Sequence, residues 1–368
     1  MDATHYHQTL PFKEPVIITN TQNHPFLRSN DTHMPHEQGE MRYQDSPNRE
    51  PIYVDIWRFR VERTEARDTK AERDLLTKSF GKVIDALDME ASADEQTRKW
   101  AEVYKIRALQ EGNNNIVKHY GCDFLYEQNA RLPVEFQVIT EHCPGGSLKG
   151  VAGLRLPVRF VAKFVHELLQ GLGYLHAHRI VHRNLDSGVI FFSKTGFTGT
   201  IKIGGFQHMR QLGADLTEQH ELTARPGEDG RFAAPEMVSF EKEGPHVGRK
   251  CDIWSLGCVL LHLITGAPPL YTGAKNDPVI LEMAVLYHLN SANRKLPRIY
   301  DWIPSNIQEF ITTCLQFDPL ERPSAAKLLQ DMESGSLPIT GPDTAEYLAN
   351  RRGGHLRGDV AEYWSNYA

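Results

Sequence analysis

Apolar positions change their period near Cys143. Before it, short runs of β-branched and aromatic residues predict strands at Ile52 to Val61 (IYVDIWRFRV), Phe80 to Met89 (FGKVIDALDM, with a turn in front) and Val134 to Thr140 (VEFQVIT). Such residues suit a pleated, half-buried surface. A charged stretch from Glu65 to Asp74 separates the first two, and between Asp94 and Leu109 the residues Trp100, Val103, Ile106 and Leu109 recur at helical spacing. Pro144-Gly145-Gly146 then closes the last strand with a turn. Beyond it the pattern turns helical. Phe160, Val161, Phe164, Val165, Leu168, Leu169 and Leu172 mark one apolar face, and Cys251 to Thr265 is apolar almost all round, as in a helix at the centre of a lobe. The first fifty residues are polar, rich in His, Asn and Pro, with only the short run Val16-Ile17-Ile18 to suggest order, and the tail after Gly335 is again polar and Gly-rich. The pattern predicts an α+β chain in which a small strand-rich half precedes a larger helical half.

Composition narrows the function classes. With 40% hydrophobic residues in 368 the chain can bury a sizeable core, which excludes wholesale disorder. A formal charge of −6 gives no basic face for nucleic acid, so proteins are the expected partners. Five widely spaced cysteines in apolar surroundings suggest a reducing compartment. No stretch of about 18 apolar residues and no signal-peptide order is present, so a cytoplasmic protein without membrane association is expected. His5, His7, His24, His33 and His36 are spaced too irregularly for a metal site, and no metal is expected.

Five segments in fixed order carry a resemblance: His182-Arg183-Asn184-Leu185 after a long helix, Ile201-Lys202-Ile203-Gly204-Gly205-Phe206 after a strand, Ala234-Pro235-Glu236, Asp252-Ile253-Trp254-Ser255-Leu256-Gly257, and Asp318-Pro319-Leu320-Glu321-Arg322-Pro323. In order and spacing, over roughly residues 55 to 335, they resemble the landmarks of eukaryotic protein kinases. Ile180-Val181-His182-Arg183, the glycine pair before Ser147-Leu148, and Asp252 to Val259 are most similar in texture to the kinases that phosphorylate MAP-kinase kinases. The resemblance implies a two-lobed kinase-like domain over 51–335, with an N-lobe at 51–142 and a C-lobe at 143–335. A flexible arm (1–50) would precede it and a tail (336–368) follow it.

Phosphoryl transfer is mostly positioning and charge neutralisation, by a lysine and metal ions, with an aspartate to accept the hydroxyl proton. The resemblance places Asn184 at that aspartate, and an amide cannot serve as general base near neutral pH. Asp186 stands where a lysine would meet the γ-phosphate, which inverts the charge. Val189 and Gly205 stand at the two magnesium ligands. In the upper lobe Phe80-Gly81-Lys82-Val83 matches the end of the glycine-rich loop, with Leu76 and Lys78 at its first two glycines. Glu102 aligns with the helix glutamate that pairs with a strand lysine. Only eleven residues separate it from Glu90, too few for the usual strand. Lys99 is a candidate stand-in, although a solvated helix lysine is the simpler reading.

The implied vestigial nucleotide site consists of Gly81, Val83, Thr140, Glu141, Cys143 and Phe191. Small Thr140 would leave a pocket open behind adenine, whereas the volume of Phe191 would fill the space beneath it. In the activation segment Asp229 replaces a threonine, and Arg183 is the obvious receiver for phosphate on Thr217 or Thr223. What the resemblance keeps is architecture: His182, Phe206 and Ile106 for the apolar stack, Glu236 and Arg322 for a buried ion pair, and Asp252 for holding the catalytic loop.

The expected function is that of a pseudokinase, without cofactor, acting as scaffold or allosteric regulator on an active kinase or kinase substrate in phosphorylation signalling, with a MAP-kinase cascade as the implied setting. The alternative is an atypical Ser/Thr kinase, or an ATP-binding protein, that uses ATP with magnesium.

Overall fold

A computed structural model describes residues 16–23, 37–43, 52–60, 113–125, 135–196, 198–206, 209–212, 217–218, 230–238, 247–267 and 296–339, apart from single positions within them. The chain divides into two compact units, the first ending at Cys143 and the second beginning at Pro144, with Asn114–Ile116 assigned to the second.

The first unit is a five-stranded antiparallel sheet of β1 (Val16–Asn23), β2 (Glu37–Tyr43), β3 (Ile52–Arg60), β4 (His119–Leu125) and β5 (Glu135–Glu141), in the order β1-β2-β3-β5-β4. β3 and β5 match the predicted strands to within a residue or two. β1 and β2 do not: both fall in the segment expected to be a flexible arm, yet they pair with each other and with β3. Their polar composition hides them from a search for apolar alternation, because the pairing that orders them is with another strand and not with a local pattern. The predicted strand at 80–89 and helix at 94–109 lie outside the described residues, as do the arm histidines His5, His7, His24, His33 and His36. Val54 and Ile139 are buried in the sheet.

The second unit is built on helices α1 (Val158–Ala177), α2 (Lys250–Thr265), α3 (Ser305–Cys314) and α4 (Ala325–Ser334). The predicted apolar face of α1 is buried, and α2 is buried along almost its whole length, as its all-round apolar sequence requires. A Cβ on Gly257 would come within 2.8 Å of Cys314 Cβ, so glycine is what lets α2 lie close to α3. Short antiparallel ribbons complete the unit: β6 (Ile180–Val181) pairs with β9 (Arg210–Gln211), and β7 (Ile190–Lys194) with β8 (Thr198–Ile203). β10 (Thr217–Glu218) pairs with β11 (Val247–Gly248).

Arg322 is the buried polar centre of this unit. Its Nη1 and Nη2 donate to Glu236 Oε1 and Oε2 at 2.6 and 2.8 Å, and its remaining donors reach the carbonyls of Gln316, Lys250 and Phe317. A guanidinium and a carboxylate survive burial only when paired and hydrogen-bonded in this way. Among the described residues no helix is long and apolar enough to cross a membrane, and no three His, Cys, Asp or Glu side chains gather to hold a metal.

Candidate functional site

The loop between β6 and β7 carries residues 182–189, and one carboxylate from α2 shapes it. Asp252 Oδ2 accepts from the His182 amide (2.9 Å) and from His176 Nε2 (2.8 Å), while Oδ1 accepts from the Arg183 amide (2.8 Å). Two adjacent amides drawn to one carboxylate hold Arg183 at φ +66°, a conformation that a residue with a Cβ rarely adopts. Burial alone would raise the Asp252 pKa, but the interaction with His176 and the hydrogen bond from the His182 amide outweigh it and hold the carboxyl below its usual range.

Burial pushes the pKa of His182 down. A neutral ring agrees with its bonding: Nε2 donates to Gly204 O at 2.6 Å and Nδ1 accepts from the Asn184 amide at 3.3 Å. The ring meets Phe206 edge to face at 5.2 Å, so two members of the expected apolar stack are in contact; Ile106 lies outside the described residues.

Around that frame the four residues that the resemblance marks as departures from kinase chemistry fall into two groups. Asn184 and Asp186 are buried in the loop, and Asp186 Oδ1 accepts from the Gly188 amide two residues on, so the carboxylate caps its own turn. Val189 and Gly205 are packed on each other. A Cβ on Gly205, which has φ +71°, would lie 2.5 Å from Val189 Cγ1 and 2.7 Å from Val189 Cβ. The Gly204 amide donates to Val189 O at 2.8 Å, which locks the two segments together. A hydrocarbon contact therefore fills the space between these two positions.

Phe191 is buried in β7, opposite Lys202 in the β7–β8 pair and bridged to Ser147. One contact had no signal in the sequence: buried Ser187 Oγ lies 2.9 Å from His262 Nδ1, tying the loop to α2. The pair is 75 residues apart in sequence, and Ser187 stands at a position that the loop motif leaves unspecified. In the activation segment Thr217 lies in β10 opposite Gly248, while Thr223 and Asp229 lie outside the described residues.

In the first unit, Thr140 and Glu141 end β5 and Cys143 follows two residues on. Thr140 is buried and its Oγ1 donates to Glu141 O at 3.4 Å. The Glu141 carboxylate accepts from the Lys118 amide at 2.8 Å. Sequence reasoning missed what lies opposite. In the β3–β5 register Asp55 faces Thr140 and Trp57 faces Val138. Asp55 is buried, with Oδ1 2.7 Å from His142 Nδ1 and Oδ2 accepting the Cys143 amide at 3.4 Å. A carboxylate only accepts, so His142 donates, and the hydrogen bond to Asp55 raises its pKa. The available signal was an acidic residue inside an otherwise apolar-aromatic strand, Val54-Asp55-Ile56-Trp57. Gly81, Val83, Lys99 and Glu102 lie outside the described residues.

Comparison with known proteins agrees with the motifs. Mitogen-activated protein kinase kinase kinase 19 of Homo sapiens is 30% identical over 249 residues, covering 67% of this chain and 17% of that protein. Mitogen-activated protein kinase kinase kinase A of Dictyostelium discoideum is 30% identical over 233 residues, covering 62% of this chain and 22% of that one. Serine/threonine-protein kinase sid1 of Schizosaccharomyces pombe is 27% identical over 248 residues, 67% of this chain and 47% of its own length. The chain spans less than half the length of each. The family model for the protein kinase domain matches residues 79–332, more than half of the chain, and begins downstream of β1, β2 and β3. The chain belongs to the protein kinase family.

Proposed function

We propose that this member of the protein kinase family is a pseudokinase: it has kept the family's architecture, lost its phosphoryl-transfer chemistry, and works by binding proteins. The observation that carries the reading is the contact of Val189 with Gly205. In protein kinases the catalytic-loop asparagine and the aspartate of Asp-Phe-Gly hold the two magnesium ions. At those positions this chain has an isopropyl group resting on a glycine. Neither offers an oxygen ligand from its side chain, and the hydrocarbon contact leaves no cradle for a hard cation. Magnesium-ATP does not fit these residues.

The remaining departures point the same way. Asn184 cannot accept a proton, and Asp186 would repel phosphate. Kinases carry the nucleotide lysine on the third strand in Val-Ala-Ile-Lys. The interval from Glu90 to Glu102, where the order of motifs would put that strand, holds only eleven residues, too few for it. Gly81, Val83, Thr140, Glu141, Cys143 and Phe191 then stand as remnants of a nucleotide site.

Because relatives include MAP kinase kinase kinases, an active kinase or a kinase substrate of such a cascade is the partner this reading favours, in the cytoplasm. A second reading, an atypical kinase that still binds ATP, draws on buried Thr140, a small residue at the end of β5. A thermal-shift titration with ATP, with and without magnesium or manganese, separates the two. Saturable binding at a hundredfold excess over Kd stabilises a fold by about 2.7 kcal/mol. No shift with either metal, and no autophosphorylation by mass spectrometry, is the expected result. A metal-dependent shift with phosphate transfer that is lost in the Asn184→Ala, Lys99→Ala double variant would overturn the pseudokinase reading.

A further inference from the structure

We propose that Asp55 is an internal competitor for purine, its carboxylate engaging the backbone donor of Cys143, just after β5, so that a free base finds that donor already used. The inference rests on the reading above only in taking Glu141 and Cys143 as remnants of a nucleotide site.

The geometry belongs entirely to the first unit. Asp55 is 5% exposed, so its charge must be satisfied internally. Its satisfaction comes from two consecutive residues after β5: His142 Nδ1 at 2.7 Å on Oδ1, and the Cys143 amide at 3.4 Å on Oδ2. A further bond from the His142 amide to Tyr53 O, at 3.3 Å, draws the same segment onto the start of β3. Purines are recognised at such an edge by one backbone amide and one carbonyl. Here the Cys143 amide donates to a carboxylate oxygen at 3.4 Å, while Glu141 O, which accepts from Thr140 Oγ1, keeps a second lone pair, so the amide is the blocked half of the edge. A purine ring nitrogen entering there would have to replace a charged acceptor by a neutral one. It would also take one donor from a buried carboxylate, whose other oxygen stays on His142 Nδ1, and a lost donor at a buried charge is costly. Asp55 lies within β3, so this acceptor is set by the strand.

The block is separable from the loss of phosphate and metal contacts, because adenosine carries no phosphate and needs no magnesium. The test is isothermal titration of the full chain with adenosine and with ATP, each without metal, for the wild type, Asp55→Ala and His142→Gln, with autophosphorylation followed in parallel. Freeing one donor from a charged acceptor should tighten adenosine binding about tenfold or more in Asp55→Ala, and less in His142→Gln, which loosens the clasp without removing the carboxylate. Neither variant should transfer phosphate. Equal adenosine affinity in all three proteins, or no binding in any, would overturn the role of Asp55 and leave the pseudokinase reading standing. Phosphate transfer by the wild type would overturn that reading instead. Should Asp55→Ala fail to fold, ¹⁵N-cysteine labelling of the wild type and His142→Gln provides a second readout. A Cys143 amide resonance that stays in place when His142 is replaced and the protein is titrated with acid through the carboxylate range would show that no carboxylate is bonded to it, and would overturn the proposal.

Discussion

Within the second unit, two buried polar regions contrast. Around Arg322 every guanidinium donor has a partner, two of them on Glu236, and around Asp252 both carboxylate oxygens accept from the catalytic loop and from His176. At Val189 and Gly205, in the same unit, a hydrocarbon contact stands where the reading we propose puts the family's polar groups. The difference teaches what each charge is for. A buried charge that holds segments together cannot be dropped without leaving its partner stranded. A charge that serves only a ligand can be lost, and neighbouring side chains then close the space, because protein interiors pack to high density. The protein-binding role we propose needs the first kind and not the second.

The largest expected effect tests the scaffold half of that contrast. Arg322→Ala should cost about 3–5 kcal/mol of stability, read from the urea midpoint, since it strands the Glu236 carboxylate. An Arg322→Met, Glu236→Leu double variant should recover only part of this, because three carbonyls still lose their donor. A cost below about 1 kcal/mol for Arg322→Ala would place the pair among weak surface bridges and break the comparison.

A smaller effect tests the erased half. Gly205→Asp restores the family's letter but drives a Cβ into Val189, and should destabilise by about 1–3 kcal/mol. Adding Val189→Ala removes the obstructing methyls, so the double variant should be more stable than the sum of the two single changes predicts, by about 0.5–3 kcal/mol. Strict additivity in chemical denaturation would mean that the two residues do not pack as described.

The smallest effect concerns the clasp on β3. The hydrogen bond to Asp55 raises the His142 pKa above its ordinary value of 6.5, so its stabilisation is fully present below that value, while Asp55 is ionised, and is lost as pH rises through the folded-state value. The melting-temperature advantage of the wild type over Asp55→Asn should therefore shrink as pH rises above about 6.5, with His142 half-buried and part of the effect screened by solvent. An advantage that grows over this range would contradict a donating, protonated His142.

Local chemistry made much of the molecule readable from sequence. The period of α1, the all-round apolar run of α2, strands β3 and β5, and the ordered motifs from His182 to Arg322 follow from nearest-neighbour spacing, which a chain carries with it. So do the substitutions at Asn184, Asp186, Val189 and Gly205, since residue type alone decides which of them can bind a proton or a cation. Three things were settled only by tertiary structure. β1 and β2 are ordered by pairing with each other and with β3, on one side of a sheet that continues to β5 and β4, so the short Val16-Ile17-Ile18 run and the polar sequence of β2 look like an arm until the partner is known. The Ser187–His262 contact joins residues 75 positions apart. The role of Asp55 depends on register: one acidic residue in an apolar strand is ambiguous alone, and becomes a cap on the Cys143 amide only because antiparallel pairing sets it opposite Thr140. Residue identity limits which chemistry is available, while strand pairing decides which groups meet, because the contacts that satisfy a buried charge come from wherever the fold brings a donor within 3 Å or so.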